Sequence, residues 1–279
     1  MTESDLGVFA EAIAEIAVEA GKAILEVYEQ DFEVVQKEDE SPLTQADLAS
    51  HRIICAALAH LTPDIPVLSE ESSEIDFDVR ADWSQYWLVD PLDGTREFIN
   101  RNGEFTVNIA LIRHHNPILG VVHVPVSGVT YTGLVGKWAS RHASDGSMEH
   151  IGIRLPCADP VVIVGSRSHA NPRLMEYLGH IGNYELVSMG SSLKFCLLAE
   201  GKADFYPRLG PTSEWDTAAA HAVVLAAGGK IITLDGKPLR YNTKKSLLNP
   251  EFLVIADPDR DWIAAFKSYR SNQPITPNL

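Results

Sequence analysis

A mixed α and β fold, with an antiparallel N-terminal sheet and a smaller α/β C-terminal sheet, is predicted by three features of the chain. Leu6, Phe9, Ile13, Ile16, Ala20, Ile24 and Val27 recur at helical spacing, so the chain opens with a long amphipathic helix whose apolar stripe must cover a sheet. Residues 105–112, 118–124 and 129–134 are strand-like runs separated by Asn-Pro and Ser-Gly turns, the pattern of an antiparallel meander. Beyond Asp159 strand-like and helix-like segments alternate, which calls for an open sheet with helices on its faces.

The elements follow in order. After a polar turn at 37–42, residues 44–60 read as a second helix carrying Leu48, Ile53, Ile54, Ala57 and Leu58, with Asp47 in its first turn. Residues 65–69 form a short strand ending at Glu70 and Glu71. The apolar run from Tyr86 leads into Asp90, Pro91, Leu92, Asp93, Gly94 and Thr95. In the second half, strands are expected at 161–164, 185–188, 203–206 and 230–233, and helices at 172–180, 193–200 and 216–227, the last stopped by Gly228 and Gly229. The change of texture places a boundary near residue 156, giving domains 1–156 and 157–270 and a frayed tail 271–279.

The net charge of −15 argues against a nucleic-acid polymer as partner, since that role needs a basic surface. An acidic protein that handles an anionic substrate must supply positive charge locally, through metal ions or a few placed Lys and Arg side chains. The acidic start, Met-Thr-Glu-Ser-Asp, does not resemble a secretory leader, and no apolar run approaches the roughly 20 residues needed to span a bilayer. The three cysteines, Cys55, Cys157 and Cys196, read as reduced core residues of a cytoplasmic protein. His114 and His115 are read as strand neighbours pointing to opposite faces, which is no metal pair. Trp83, Trp87 and Trp138 are read as packing residues.

The segment from Asp90 to Thr95 carries the most chemistry. Asp90 and Asp93 offer hard oxygen ligands of the kind magnesium prefers, Pro91 stiffens the turn, and the Leu92 carbonyl is free to add a further ligand. Gly94 and Thr95 then open a helix whose unpaired amides suit a phosphate. Asp47, Glu70 and Asp216 also lie where the chain changes direction. Each has a plainer role by itself: Asp47 complements a helix dipole, Glu70 and Glu71 form a solvated pair, and Ser213 with Asp216 matches a capping box. Their joint occurrence with the turn favours a shared metal site.

Glu70-Glu71, the Asp90–Thr95 segment and Trp215-Asp216-Thr-Ala-Ala-Ala resemble the three metal motifs of the inositol monophosphatase superfamily of magnesium-dependent, lithium-sensitive phosphatases. The likeness runs from the first helix to about residue 257. Segments 41–47, 165–169, 190–194 and 199–208 are similar to the CysQ-type 3'(2'),5'-bisphosphate nucleotidase branch, which converts adenosine 3',5'-bisphosphate to AMP.

That resemblance implies a layered α-β-α-β-α sandwich. It implies that Glu70, Asp90, the Leu92 carbonyl and Asp93 hold one Mg2+, that Asp90, Asp93 and Asp216 share a second, and that two or three ions serve each site. Asp47 and Thr95 would form a catalytic dyad that orients water. The Gly94 and Thr95 amides would grip the transferred phosphate, and Glu70 and Asp216 would also bind substrate. Ser191, Lys194 and Arg208 would take the second phosphate, with Ser166, Arg167 and His169 on the nucleoside side. A place in sulfur assimilation follows, in the cytoplasm with at most weak peripheral association with the inner membrane. The neighbouring readings are an inositol-1-monophosphatase or a sugar bisphosphatase using the same metal chemistry. A calcium-binding module is disfavoured by the absence of an EF-hand loop, and a noncatalytic nucleotide sensor by intact Asp47 and Thr95.

Overall fold

The structure is a computed structural model that describes residues 3–30, 34–36, 42–167 and 172–264. Its first half contains α1 (Glu3–Tyr28), β1 (Val34–Gln36), β2 (Pro42–Thr44), α2 (Gln45–Leu61), β3 (Val67–Ser69), a 3-10 turn (Glu70–Ser72), α3 (Phe77–Arg80), β4 (Gln85–Asp93) and α4 (Thr95–Ile99). The strands β5 (Thr106–Arg113), β6 (Asn116–Val124), β7 (Val129–Leu134), β8 (Trp138–His142) and β9 (Met148–His150) follow. The second half contains β10 (Val161–Ser166), α5 (Pro172–Leu178), β11 (Tyr184–Met189), α6 (Leu193–Ala199), β12 (Phe205–Arg208), α7 (Trp215–Ala226), β13 (Lys230–Thr233) and β14 (Phe252–Ile255).

Strands β3 to β9 pair in sequence order as a seven-stranded sheet, and the second sheet has the order β11-β10-β12-β14-β13. In β4, Trp87 and Val89 face α1 and α2, where Ile13, Ala17, Ile24, Ile54 and Leu58 cover them. Tyr86 and Leu88 face the other way, against Phe195 and Leu198 of α6 and Ala219 and Val223 of α7. This two-residue alternation buries both faces, which is why the strand reads as a continuous apolar run. The same middle core reaches Val164, Tyr206, Phe252 and Val254 of the second sheet. Beyond that sheet lie Tyr177 and Leu178 of α5 and Trp262, whose ring stacks on Phe205 at 4.2 Å. The layers are therefore α-β-α-β-α, as the resemblance implied.

Helix α7 lies directly on the first sheet. A Cβ at Gly120 would sit 2.1 Å from the Ala219 carbonyl oxygen, and one at Gly133 would sit 2.5 Å from the Val223 Cα. Glycine in β6 and β7 and alanine at 218–220 allow this close approach, which carries Asp216 to the end of the sheet.

Several expectations are corrected. β3 pairs parallel with β4, so the N-terminal sheet is not wholly antiparallel. Strands β8, β9 and β14 were not anticipated: the first two are short and polar, and the third is a four-residue run without alternation. His114 and His115 are not strand neighbours but a two-residue turn between β5 and β6, with φ of 47° and 66°. Only Cys196 of the three free cysteines is fully buried. Residues 37–41, His169 and the tail from Ser271 lie outside the described residues. Among the described residues, no helix is long and apolar enough to cross a membrane.

Candidate active site

The site begins where β4 loses its regular pairing. Asp90 pairs with Asn108 of β5, and the register shifts before Asp93 meets Thr106. The Pro91 carbonyl accepts a 2.7 Å bond from the Ser50 hydroxyl of α2, and the Leu92 amide donates to Asp90 Oδ1 at 3.0 Å. Gly94 has φ 93°, and a Cβ there would meet the Glu104 carbonyl oxygen and Ser191 Cβ, both at 3.3 Å. Only glycine turns the chain comfortably here into α4, whose first residue is Thr95.

Parallel pairing of Ser69 with Val89 places the following Glu70 beside Asp90, while α7 brings Asp216 from the other half of the chain. One carboxylate oxygen from each of Glu70, Asp90 and Asp216 lies within 4.8 Å of the others. Asp93 lines the same crevice, as does Leu92. Asp93 Oδ2 accepts from the Ser192 amide at 2.6 Å, Asn108 Nδ2 at 3.3 Å and the Thr106 hydroxyl at 3.5 Å.

Burial, then the charges of Glu70, Asp93, Asp216 and Asp47, holds the Asp90 carboxyl well above the ordinary range. Burial and Asp93 push Asp216 up to about 6, against hydrogen bonds from Thr212 and Ser213. Burial also raises Asp93, opposed by the Lys194 charge. Crowded acids of this kind, Asp90 buried and Glu70, Asp93 and Asp216 half-buried, are stabilised in their ionised form by a divalent cation, and an all-oxygen donor set fits Mg2+.

Two of the acids serve local structure as well. Asp47 Oδ2 accepts from the Thr44 amide at 2.8 Å and its hydroxyl at 2.6 Å, closing the start of α2. Its Oδ1 lies 3.4 Å from the Thr95 hydroxyl oxygen, which is also 3.4 Å from the Leu92 carbonyl oxygen. Asp216 Oδ2 accepts from the Ser213 amide at 2.9 Å and the Thr212 hydroxyl at 2.7 Å. No side chain caps α7 in return, so only half of the anticipated capping box exists.

The crevice, about 280 Å³, extends from the acids to Ser166, Ser191, Lys194 and Arg208. Lys194 is 6% exposed, and its ammonium donates to the Ser191 carbonyl. Burial pushes Lys194 down to about 8, with Asp93 opposing and Arg208 reinforcing that shift. Arg208 donates to the Pro211 carbonyl at 2.6 Å, and its buried Nε has no hydrogen-bond partner among the described residues. Arg167 is exposed and is not among the residues that line the crevice: its guanidinium makes two 2.7 Å bonds to Glu104 and one of 2.9 Å to the Ser188 carbonyl.

Sequence reasoning overlooked Arg96, Glu97, Tyr206, Thr212 and Thr217, which also line the crevice. It overlooked Asn108 and Ser192 behind Asp93. Asn108 carried a signal, as an amide inside an apolar strand buried on both faces.

Residues 5–264 match the inositol monophosphatase family. The chain is 53% identical over 244 residues to the 3'(2'),5'-bisphosphate nucleotidase CysQ of Escherichia coli O6:H1, covering 87% of this chain and 97% of that protein. Identity to the CysQ of Haemophilus influenzae is 37% over 253 residues, covering 90% of this chain and 94% of that one. The crystal structure of CysQ from Bacteroides thetaiotaomicron aligns with a TM-score of 0.77 and 46% identity, covering 89% of this chain and 97% of that chain. The inositol monophosphatase of Anabaena shares the fold, with a TM-score of 0.76 at 24% identity over 95% of this chain and 97% of that one. The acidic crevice between two sheets and these near full-length matches agree: the chain belongs to the inositol monophosphatase family.

Proposed function

We propose that the chain is a magnesium-dependent 3'(2'),5'-bisphosphate nucleotidase that hydrolyses adenosine 3',5'-bisphosphate to AMP and phosphate. One observation carries this reading: the buried Lys194 and the half-buried Arg208 share a crevice with the carboxylates of Glu70, Asp90 and Asp216. A substrate with two phosphates suits such a lining, one phosphate reacting beside the acids and the other held by basic groups. The 53% identity to a protein bearing that activity in its name supports it.

Glu70, Asp90, the Leu92 carbonyl and Asp93 would hold one Mg2+, and Asp90, Asp93 and Asp216 a second. When bound, such ions neutralise phosphate charge and acidify water, which phosphate monoester hydrolysis needs because it is extremely slow unaided. Asp47 accepts the Thr95 proton, which leaves the threonine oxygen to accept a hydrogen bond from the attacking water and aim it. The Gly94 and Thr95 amides grip the transferred phosphate, with Glu70 and Asp216 at its sides. Ser191, Lys194 and Arg208 hold the 5'-phosphate. Ser166, Arg167 and, outside the described residues, His169 would contact the nucleoside.

Residues 1–156 and 157–270 act as two domains, the first supplying most metal ligands and the second Asp216 and the basic groups. The enzyme works in sulfur assimilation, in the cytoplasm, with at most a loose hold on the inner membrane. The test is phosphate release from adenosine 3',5'-bisphosphate, inositol 1-phosphate and fructose 1,6-bisphosphate side by side, with and without Mg2+. The nucleotide should give the highest kcat/KM, and a preference for inositol 1-phosphate would overturn the substrate assignment.

A further inference from the structure

Ser192 occupies the N-cap position of α6, yet its side chain makes no capping bond to that helix. An N-cap serine ordinarily spends its oxygen on a main-chain amide of the first turn. Here the hydroxyl leaves its own helix, donating to the Asp216 carbonyl at 2.6 Å and accepting from Asn108 Nδ2 at 2.9 Å. The Ser192 amide donates to Asp93 Oδ2 at 2.6 Å, and Asn108 Nδ2 lies 3.3 Å from that same oxygen. Ser192 and Asn108 are each 1% exposed, so solvent does not replace these bonds when one is lost.

Asp93 ends β4, whereas Asp216 opens α7 in the other half of the chain. Ser192 bonds to both residues from a third element. We infer that Ser192 is a positioning residue: with Asn108 it ties the Asp93 carboxylate to the first turn of α7, so that the two acids meet a shared metal ion without reorganising. The inference rests on the metal-dependent reading above. Partners behind metal ligands commonly govern affinity by orienting the ligand oxygens, and their loss costs roughly 10–100-fold.

The test is Mn2+ binding to the metal-free protein by electron paramagnetic resonance, with kcat and KM for adenosine 3',5'-bisphosphate measured in parallel. Ser192→Ala is expected to weaken Mn2+ binding roughly 10–100-fold and to lower kcat while KM stays near wild type. Ser192→Thr, which keeps the hydroxyl, should recover most of both. Asn108→Ala should show the same signature, and the double variant should lose less than the two single losses combined, because both act through one network. Should Ser192→Ala fail to fold, Asn108→Ala carries the same expectation. Wild-type Mn2+ affinity in the folded variants would overturn the inference, as would a raised KM with unchanged kcat and Mn2+ affinity. A wild-type protein that bound no Mn2+ would overturn the metal reading together with it.

Discussion

Asp47 faces two ways: its Oδ2 closes α2 on Thr44, while its Oδ1 stands 3.4 Å from the hydroxyl oxygen of Thr95. The structural bond fixes the rotamer that the second contact needs, so capping and proton acceptance come from one side chain. Asp47→Asn keeps an acceptor for Thr44 but loses basicity. It should lower kcat by about 10²–10⁴ with a small change in melting temperature. Steady-state phosphate release together with thermal melts separates the two roles, and near-normal turnover would reduce Asp47 to a helix cap.

The acids around Asp90 repel one another when no cation is bound. Asp93→Asn should abolish Mg2+-dependent phosphate release while the protein stays folded. Asp90→Asn should also be inactive, yet melt higher than wild type in chelator, by about 2–4 °C for each kcal/mol of repulsion relieved. Wild type itself should gain stability as Mg2+ is added, because binding favours the folded state. Melting curves with and without Mg2+ check all three.

Lys194 is buried in the lining of the crevice, where a charge-assisted bond to phosphate is worth about 1.5–3 kcal/mol. Lys194→Ala should therefore cost roughly 10–100-fold in kcat/KM for adenosine 3',5'-bisphosphate and much less for inositol 1-phosphate. Equal losses on both substrates would remove Lys194 from recognition of the second phosphate.

Two buried histidines make stability acid-sensitive. Burial pushes His123 down to about 4 and His221 down to about 3. The unfolded chain takes up these protons from about pH 6.5 downward while the folded chain does not, so stability falls with pH, by at most about 1.4 kcal/mol per unit for each histidine. For His123 this loss ends near pH 4. Glu214 and Asp216, raised to about 7 and about 6, act in the opposite direction over part of this window. The readout is therefore the difference from wild type: between pH 7 and pH 5.5, approximately, His123→Gln should lose less stability in urea titrations than wild type does.

Lithium should inhibit turnover in competition with the metal requirement. Rates measured across a lithium series at low and high Mg2+ check this, and indifference to lithium would count against the proposed metal chemistry.

The helices and most strands were legible because their signals are local. The stripe from Leu6 to Val27 became α1, and the 105–134 runs became β5, β6 and β7 within a few residues. Strands β8 and β9 escaped because they are short and polar, and the Met148–His150 strand is exposed along its length. Asp90, Asp93 and Gly94 stood out because metal and phosphate chemistry restricts residue choice within a few positions. By contrast, the pairing of the Arg167 guanidinium with Glu104 joins residues far apart in the chain, a partnership that no local pattern announces.

What the chain order determined by itself was the set of elements, the turn from Asp90 to Thr95 and the chemical types of the acids. Tertiary structure alone decided that Asp216 meets Asp90, that Asp47 divides its two oxygens between Thr44 and Thr95, and that Ser192 stands behind Asp93. The physical reason is range. Helical and strand periodicity is written every two to four residues, whereas these contacts join distant segments through close packing such as α7 on Gly120 and Gly133, where a single Cβ would hold the helix and its Asp216 away.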